Sequence, residues 1–287
     1  MNRLLVLILG CWLTTTPVLF AQLDGDWNEG LTYTTSFFGP NAFPVPELNT
    51  GLLRDHSHVE LSSDVFWGFG DQTQSLFLRL DYAAIPGVLT FSGWGVLMEH
   101  YRVCPELRDR RAARLRSLDD FSYPGDFYLS TQLSLLRNHA VYPDVSVEVV
   151  LKTASSWTVT EARFFDSPGY YFNASFGKTY SEAFFAWRPS VELGFLSYQL
   201  GNGMQNDAPL YGLQLECFYG NLSVGQSLAG YKGWTGEGDE PLVLRTRFAY
   251  NRAQQSYFIQ YQHALQDYPF HRIQCGLRWS FRTKGLH

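Results

Sequence analysis

From His58 to Phe281 apolar and polar residues alternate with a period of two, the spacing of a β-strand whose two faces meet different surroundings. The last run, His271–Phe281, is the clearest. Ile273, Cys275, Leu277, Trp279 and Phe281 share one face; Arg272, Gln274, Gly276, Arg278 and Ser280 share the other. Twelve such runs can be counted. In the first, Val59, Leu61, Val65 and Trp67 oppose Glu60, Ser62 and Asp64. In the second, Leu76, Leu78, Leu80 and Tyr82 oppose Arg79 and Asp81. The third, Val88 to Tyr101, has apolar residues on both faces and no clear parity. Later runs place Glu148 and Lys152, then Glu192, then Glu216, then Arg245 and Arg247 opposite apolar partners. Before His58 the alternation fails, and Pro40, Pro44 and Pro46 exclude a central strand.

The spacing of the runs carries a second signal. The connections at roughly 102–125, 154–169, 199–208, 232–240 and 266–270 are long, whereas those between, such as Ile85-Pro86-Gly87 and Gly220-Asn221, are mostly short. Long loops at one end and short turns at the other mark an outer-membrane barrel, and so does an even strand number. The first loop, which is short, and the 179–186 connection, which is long, are the exceptions.

Composition supports this. Charged residues are only 17% of the chain and aromatics 16%, against about 25% charged in soluble proteins. Yet mean hydropathy is -0.16, and no 18-residue apolar run follows the N-terminus, so spanning helices are excluded. The first residues, with Arg3, an apolar stretch Leu4–Leu13 and Ala21 before Gln22, read as a secretory signal. The net charge of -5 leaves no nucleic-acid footprint. Cys104, Cys217 and Cys275 remain after the signal, an odd number that argues against a disulfide framework.

The expected fold is therefore all-β: a transmembrane antiparallel up-and-down β-barrel of 12 strands over residues 57–282. A signal peptide (1–21) and an N-terminal extension (22–56) precede it, the latter at the periplasmic mouth or as a lumen plug; a short tail (283–287) follows. A soluble sandwich or lipocalin alternates in the same way with its apolar face inward, and sequence alone does not say which face is inside.

If the polar face lines the lumen, Glu60, Asp64, Arg79, Asp81, Glu148, Lys152, Glu192, Glu216, Arg245, Arg247, Arg272 and Arg278 set its selectivity. Barrel closure brings the first strand beside the last, so the arginines of the final strands adjoin the carboxylates of the first two. Opposed walls make a transverse field that favours polar solutes; mutual pairing is the competing use of the same charges. The charged, aromatic stretch around 144–172 is a candidate inward-folding constriction or a loop network. The arginine run Glu106–Arg116 is a candidate contact for lipopolysaccharide phosphates, or a self-supporting solvated helix. A periplasmic or secretion partner for residues 22–55 is a further option. No CxxC, HExxH or phosphate loop is present, so no metal or cofactor is expected. A lipid hydrolase is the enzymatic alternative. Outer-membrane phospholipases are similar in length and strand number, but their His two residues before Ser-Asn-Gly is missing, and His56, His58 and His100 have no serine at a recognisable spacing.

Three strings, Phe38–Pro46, Leu151–Ser155 and Asp166–Phe172, resemble uncharacterised Gram-negative outer-membrane barrels of Bacteroidota type. The resemblance implies the fold and an outer-membrane location, and brings no assigned activity. Phe281, followed by Arg-Thr-Lys-Gly-Leu-His, is offset from the terminal aromatic usual in such barrels.

Overall fold

The computed structural model describes residues 32–111, 117–122, 124–156, 162–200, 204–236 and 238–282. The signal region, the start of the extension, the tail and Ala112–Arg116 of the arginine run lie outside the described residues.

The strands are β1 (Ser57–Gly68), β2 (Asp71–Ile85), β3 (Leu89–Val103), β4 (Asp119–Ser122), β5 (Phe127–Leu136), β6 (Asp144–Lys152), β7 (Gly169–Gly177), β8 (Tyr180–Glu182), β9 (Phe185–Gln199), β10 (Gln205–Tyr219), β11 (Leu222–Tyr231), β12 (Leu242–Arg252), β13 (Gln255–Gln266) and β14 (His271–Phe281). A short helix α1 (Pro105–Arg110) follows β3. Twelve of the strands form a closed antiparallel barrel in which each pairs with its neighbours in chain order. β14 pairs with β1 to close the ring, setting Glu60 opposite Arg278 and Asp64 opposite Gln274. The other two, β4 and β8, are short ribbons on the ends of β3 and β9 that the alternation does not reveal.

The barrel settles which face is inside. Leu61, Leu129, Leu151, Leu193, Leu213 and Ile259 stand 47–57% exposed on the outer wall, while Glu60, Asp64, Glu148 and Glu192 are at most 5% exposed. So broad an apolar exterior is incompatible with water and is the lipid-facing band of a transmembrane barrel. Tyr142, Tyr180, Trp187, Tyr219, Tyr250, Tyr257 and Trp279 are exposed near the short-turn end and form an aromatic girdle there. The long connections share the opposite end, which is extracellular by the usual asymmetry. Cys104, Cys217 and Cys275 are free thiols.

The ambiguous parity of β3 has a structural cause. Its pairing with β2 skips Leu97. Ser92 and Val96 face inward before this bulge; Glu99, Tyr101 and Val103 do so after it. One extra residue flips every later side chain to the other face.

Residues 32–56 run inside the barrel from the extracellular to the periplasmic end. Thr35 bonds the carbonyl of Asp267, in the loop before β14. Arg54 accepts from Gly87 at a periplasmic turn (3.2 Å). The upper part is apolar: Tyr33, Phe37, Phe38, Ala42, Phe43 and Val45 pack on Leu196, Ala208, Leu210, Ala229 and Val243 of the inner wall and on Phe165, Tyr268 and Phe270. Below, Leu48 sits where a side chain at Gly212 would be, 2.4 Å from the position of its missing Cβ. Gly51 turns the chain at φ +79°, a conformation suited to glycine.

Candidate functional site: a plugged, charge-lined lumen

Two tiers divide the lumen. The extracellular tier is filled. Arg163, from the loop between β6 and β7, is fully buried and reaches Asp71 (2.6 Å), Glu99 (2.7 Å) and Thr73 (2.6 Å), with its guanidinium 4.5 Å from the Tyr101 ring centre. Arg111, just past α1, bonds the same Asp71 (2.8 Å) and the carbonyl of Phe38 (2.8 Å). Asn41 completes Glu99 at 2.8 Å. Two loops and the lumen segment are thus tied to β2 and β3 through one buried network. Removing Arg163 would leave Glu99 without a cation, and removing Asp71 would leave Arg111 without a carboxylate. The loop around Arg163 folds inward and is itself ion-paired, so the two sequence expectations for it coexist. Of the arginine run, the described part is a six-residue helix with Leu107 buried and Arg111 turned inward rather than toward lipid.

The periplasmic tier holds a cavity of about 1200 Å³. Its wall carries Glu60, Asp64, Arg79, Asp81, Glu148, Glu216, Arg245, Arg247, Arg272 and Arg278. Two of the expected lining residues do not reach it. Lys152 is buried against Asp126 (2.6 Å) and the carbonyls of Phe165 and Ser167 (both 2.7 Å), where it anchors the inward loop. Glu192, fully buried, accepts from the Asn49 backbone N–H (2.9 Å) and the Ser175 hydroxyl (2.7 Å). Both point inward as their parity requires, but segment and loop occupy the space in front of them.

Arg278 and Arg272 pair across the closing seam, and Arg79 pairs within its own strand. Arg278 donates to Glu60 from Nε (2.9 Å) and Nη2 (2.5 Å). Arg272 donates to Asp64 (2.7 Å) and, less closely, to Glu47 (3.3 Å). Arg79 donates to its strand neighbour Asp81 (2.9 Å) and lies over Trp94, 4.5 Å from the ring centre. Asp81 also meets His58 at 2.5 Å. Arg247 is 3.6 Å from Glu60.

The lumen segment uses the same wall. Arg245 is buried and donates to the carbonyls of Val45 (2.6 Å) and Pro46 (2.9 Å) and to Gln262 (2.8 Å). Arg188 donates to the Thr50 carbonyl (2.8 Å) and pairs with Asp144 (2.9 Å). Asn49 donates to Glu148 (2.7 Å) and Gln260 to Glu47 (3.1 Å). Arg188, Asn49 and Glu47 were not singled out in the sequence. Arg188 sits on the inward parity of β9, but the other two belong to a segment without alternation. The histidines are divided: His58 is buried in the lumen and His56 contacts Arg282 at the periplasmic end (3.4 Å), whereas His100 pairs with Asp119 (2.6 Å) on the outer side of β3.

Comparison with solved structures places this architecture among outer-membrane barrels. An outer-membrane channel from Pseudomonas putida F1 superposes with a TM-score of 0.51 at 14% identity, over 84% of this chain and all of that one. The transport unit of the autotransporter AIDA-I from Escherichia coli (TM-score 0.49, 10% identity, 85% and 95% covered) and the KdgM porin (0.44, 10%, 78% and 99%) are more distant. No family model and no curated protein matches the sequence. The fold, with its lipid-facing outer wall, is that of an outer-membrane β-barrel.

Proposed function

We propose that the protein is an outer-membrane barrel of the Bacteroidota type that binds and passes small polar solutes through its charge-lined lumen, gated by residues 32–56. The observation that carries this reading is the periplasmic cavity of about 1200 Å³, walled by arginines and carboxylates and capped by a segment held through hydrogen bonds to the wall. A purely structural barrel has no need of so polar a cavity, and a lumen wall of fixed charges is how pores select by polarity. Planar-bilayer conductance tests it. The full chain is expected to conduct rarely, and the chain lacking residues 32–56 to open a steady pore. A deleted chain that keeps its heat-modifiable gel mobility but never conducts would sink the reading.

One observation favours a second reading. The segment enters the lumen at the extracellular end, where Thr32 is exposed, and leaves at the periplasmic end, a path suited to engaging a partner at either mouth. This reading expects a partner that co-purifies with the full chain and is lost on deleting residues 22–55.

A further inference from the structure

The cavity holds a place where several arginines converge around Glu60. Glu60 has an arginine opposite it on both neighbouring strands, Arg278 on β14 and Arg79 on β2. Arg79 turns away to Asp81. Arg278 takes the Glu60 Oε2 atom at 2.5 Å, and Arg247 approaches the same oxygen at 3.6 Å while stacked on Phe258, 3.6 Å from the ring centre. A third guanidinium, Arg54, enters from the lumen segment. It is exposed to the cavity, and among the described residues its side chain has no hydrogen bond or ion pair. Its strongest electrostatic neighbour is Arg278, with Arg247 also close, and Asp81 and Glu216 are its opposing carboxylates.

Arg278 and Arg247 therefore share one Glu60 oxygen, and Arg54 faces both arginines with only the longer-range Asp81 and Glu216 to offset them. In open water such crowding is cheap. In a lumen walled by protein and lipid, fields are focused and repulsion is costly. Arg54 has a long flexible side chain and access to the cavity, yet it stands against like charge. Its position makes sense when an anion arrives between the three. Planar guanidinium forks bind carboxylate and phosphate oxygens in pairs, and three of them around one space suit an anion with several such oxygens.

We propose that Arg54, Arg247 and Arg278 form a binding site for a small polyvalent anion, a polycarboxylate or a phosphate ester, at the periplasmic end of the lumen. This deepens the solute-binding reading above and rests on it for the role of the site.

Isothermal titration of the full chain in a non-ionic detergent, with pyrophosphate and with citrate as probes, tests the site. At least one probe is expected to bind, more weakly as salt rises, and Arg54→Ala to weaken binding at least tenfold. Arg54→Ala breaks no described contact, so folding is not at stake, and Lys232→Ala at the extracellular rim is expected to bind as wild type. Tighter binding of pyrophosphate or of citrate decides between the phosphate and carboxylate forms. No binding of either probe, or equal binding by wild type and Arg54→Ala, would overturn the site. If the anion binds but the chain lacking residues 32–56 never conducts, solute passage fails and the site stands. If that chain conducts without anion preference in a salt gradient and nothing binds, passage stands and the site fails.

Discussion

Arg245→Ala is the sharpest single test of the lumen segment as a gate. The arginine is 3% exposed and supplies the buried donors to two backbone carbonyls of the segment, Val45 and Pro46. Truncation leaves both carbonyls and the Gln262 amide oxygen without that donor. Each buried acceptor so abandoned costs about 1–3 kcal/mol. Water from the cavity below will recover part, so about 3 kcal/mol is a reasonable net loss for the seated state. The released state loses nothing, because it never made these bonds. A shift of about 3 kcal/mol is roughly a hundredfold in the ratio of released to seated segment. The barrel should barely notice, since its interstrand ladder does not involve the guanidinium. Single-channel recording in planar bilayers is the assay: open probability should rise by one to two orders of magnitude, with unit conductance equal to that of the chain lacking residues 32–56. Trypsin should also cut the segment faster. A variant that stays folded and conducts no more often than wild type would refute the gate. So would a wild-type chain that already conducts as freely as the deletion.

Three further outcomes follow from the same geometry. Arg163→Ala strands Glu99 and removes one partner of Asp71 in a fully buried network; a loss of about 3–5 kcal/mol is expected, read as a lower urea midpoint in lipid vesicles, and an unchanged midpoint would show that the network does not hold the extracellular tier. Thr32→Cys, in a background with Cys104, Cys217 and Cys275 replaced, should react with a membrane-impermeant maleimide on intact cells, because the start of the described segment is exposed at the extracellular end; labelling only after outer-membrane lysis would reverse the path of the segment. Leu213→Arg, in the middle of β10 on the lipid face, should cost about 2–4 kcal/mol of folding stability in vesicles, while Gln214→Arg, one residue on and facing the lumen, should cost far less; equal costs would deny that the exposed leucine face meets lipid.

The wall of this barrel was legible in the sequence because a period of two is a direct image of its two faces. That the arginines of the last strand, Arg272 and Arg278, would adjoin the carboxylates of the first, Glu60 and Asp64, was legible too, although more than 200 residues separate them, because closure of an up-and-down barrel admits only one neighbour for the last strand; which arginine meets which carboxylate depends on the register. Inside the barrel, parity alone does not decide what each side chain meets. Lys152 and Glu192 follow the inward parity, but parity is silent on what stands in front of a side chain. The bulge at Leu97 inverted β3 halfway along, so that no single phase fits it.

The filled tier could have been read from a different sign. Phe66, Leu196, Ala208, Leu210, Ala229 and Val243 all lie on the inward parity of their strands and are all buried. In a water-filled lumen these positions would be polar. Each looks like a lapse in alternation when its strand is read alone. Taken around the barrel they fall near one level, toward the extracellular ends of β1, β9, β10, β11 and β12. An apolar inner surface of that extent needs an apolar partner. The chain supplies one in Tyr33, Phe37, Phe38 and Phe43, aromatics in a stretch that could not be a strand. Inward apolar positions clustered at one end of a barrel, together with a non-alternating aromatic segment outside it, thus identify a plug and the depth at which it seats. The polar inward positions below that level mark the part of the lumen left open for a solute.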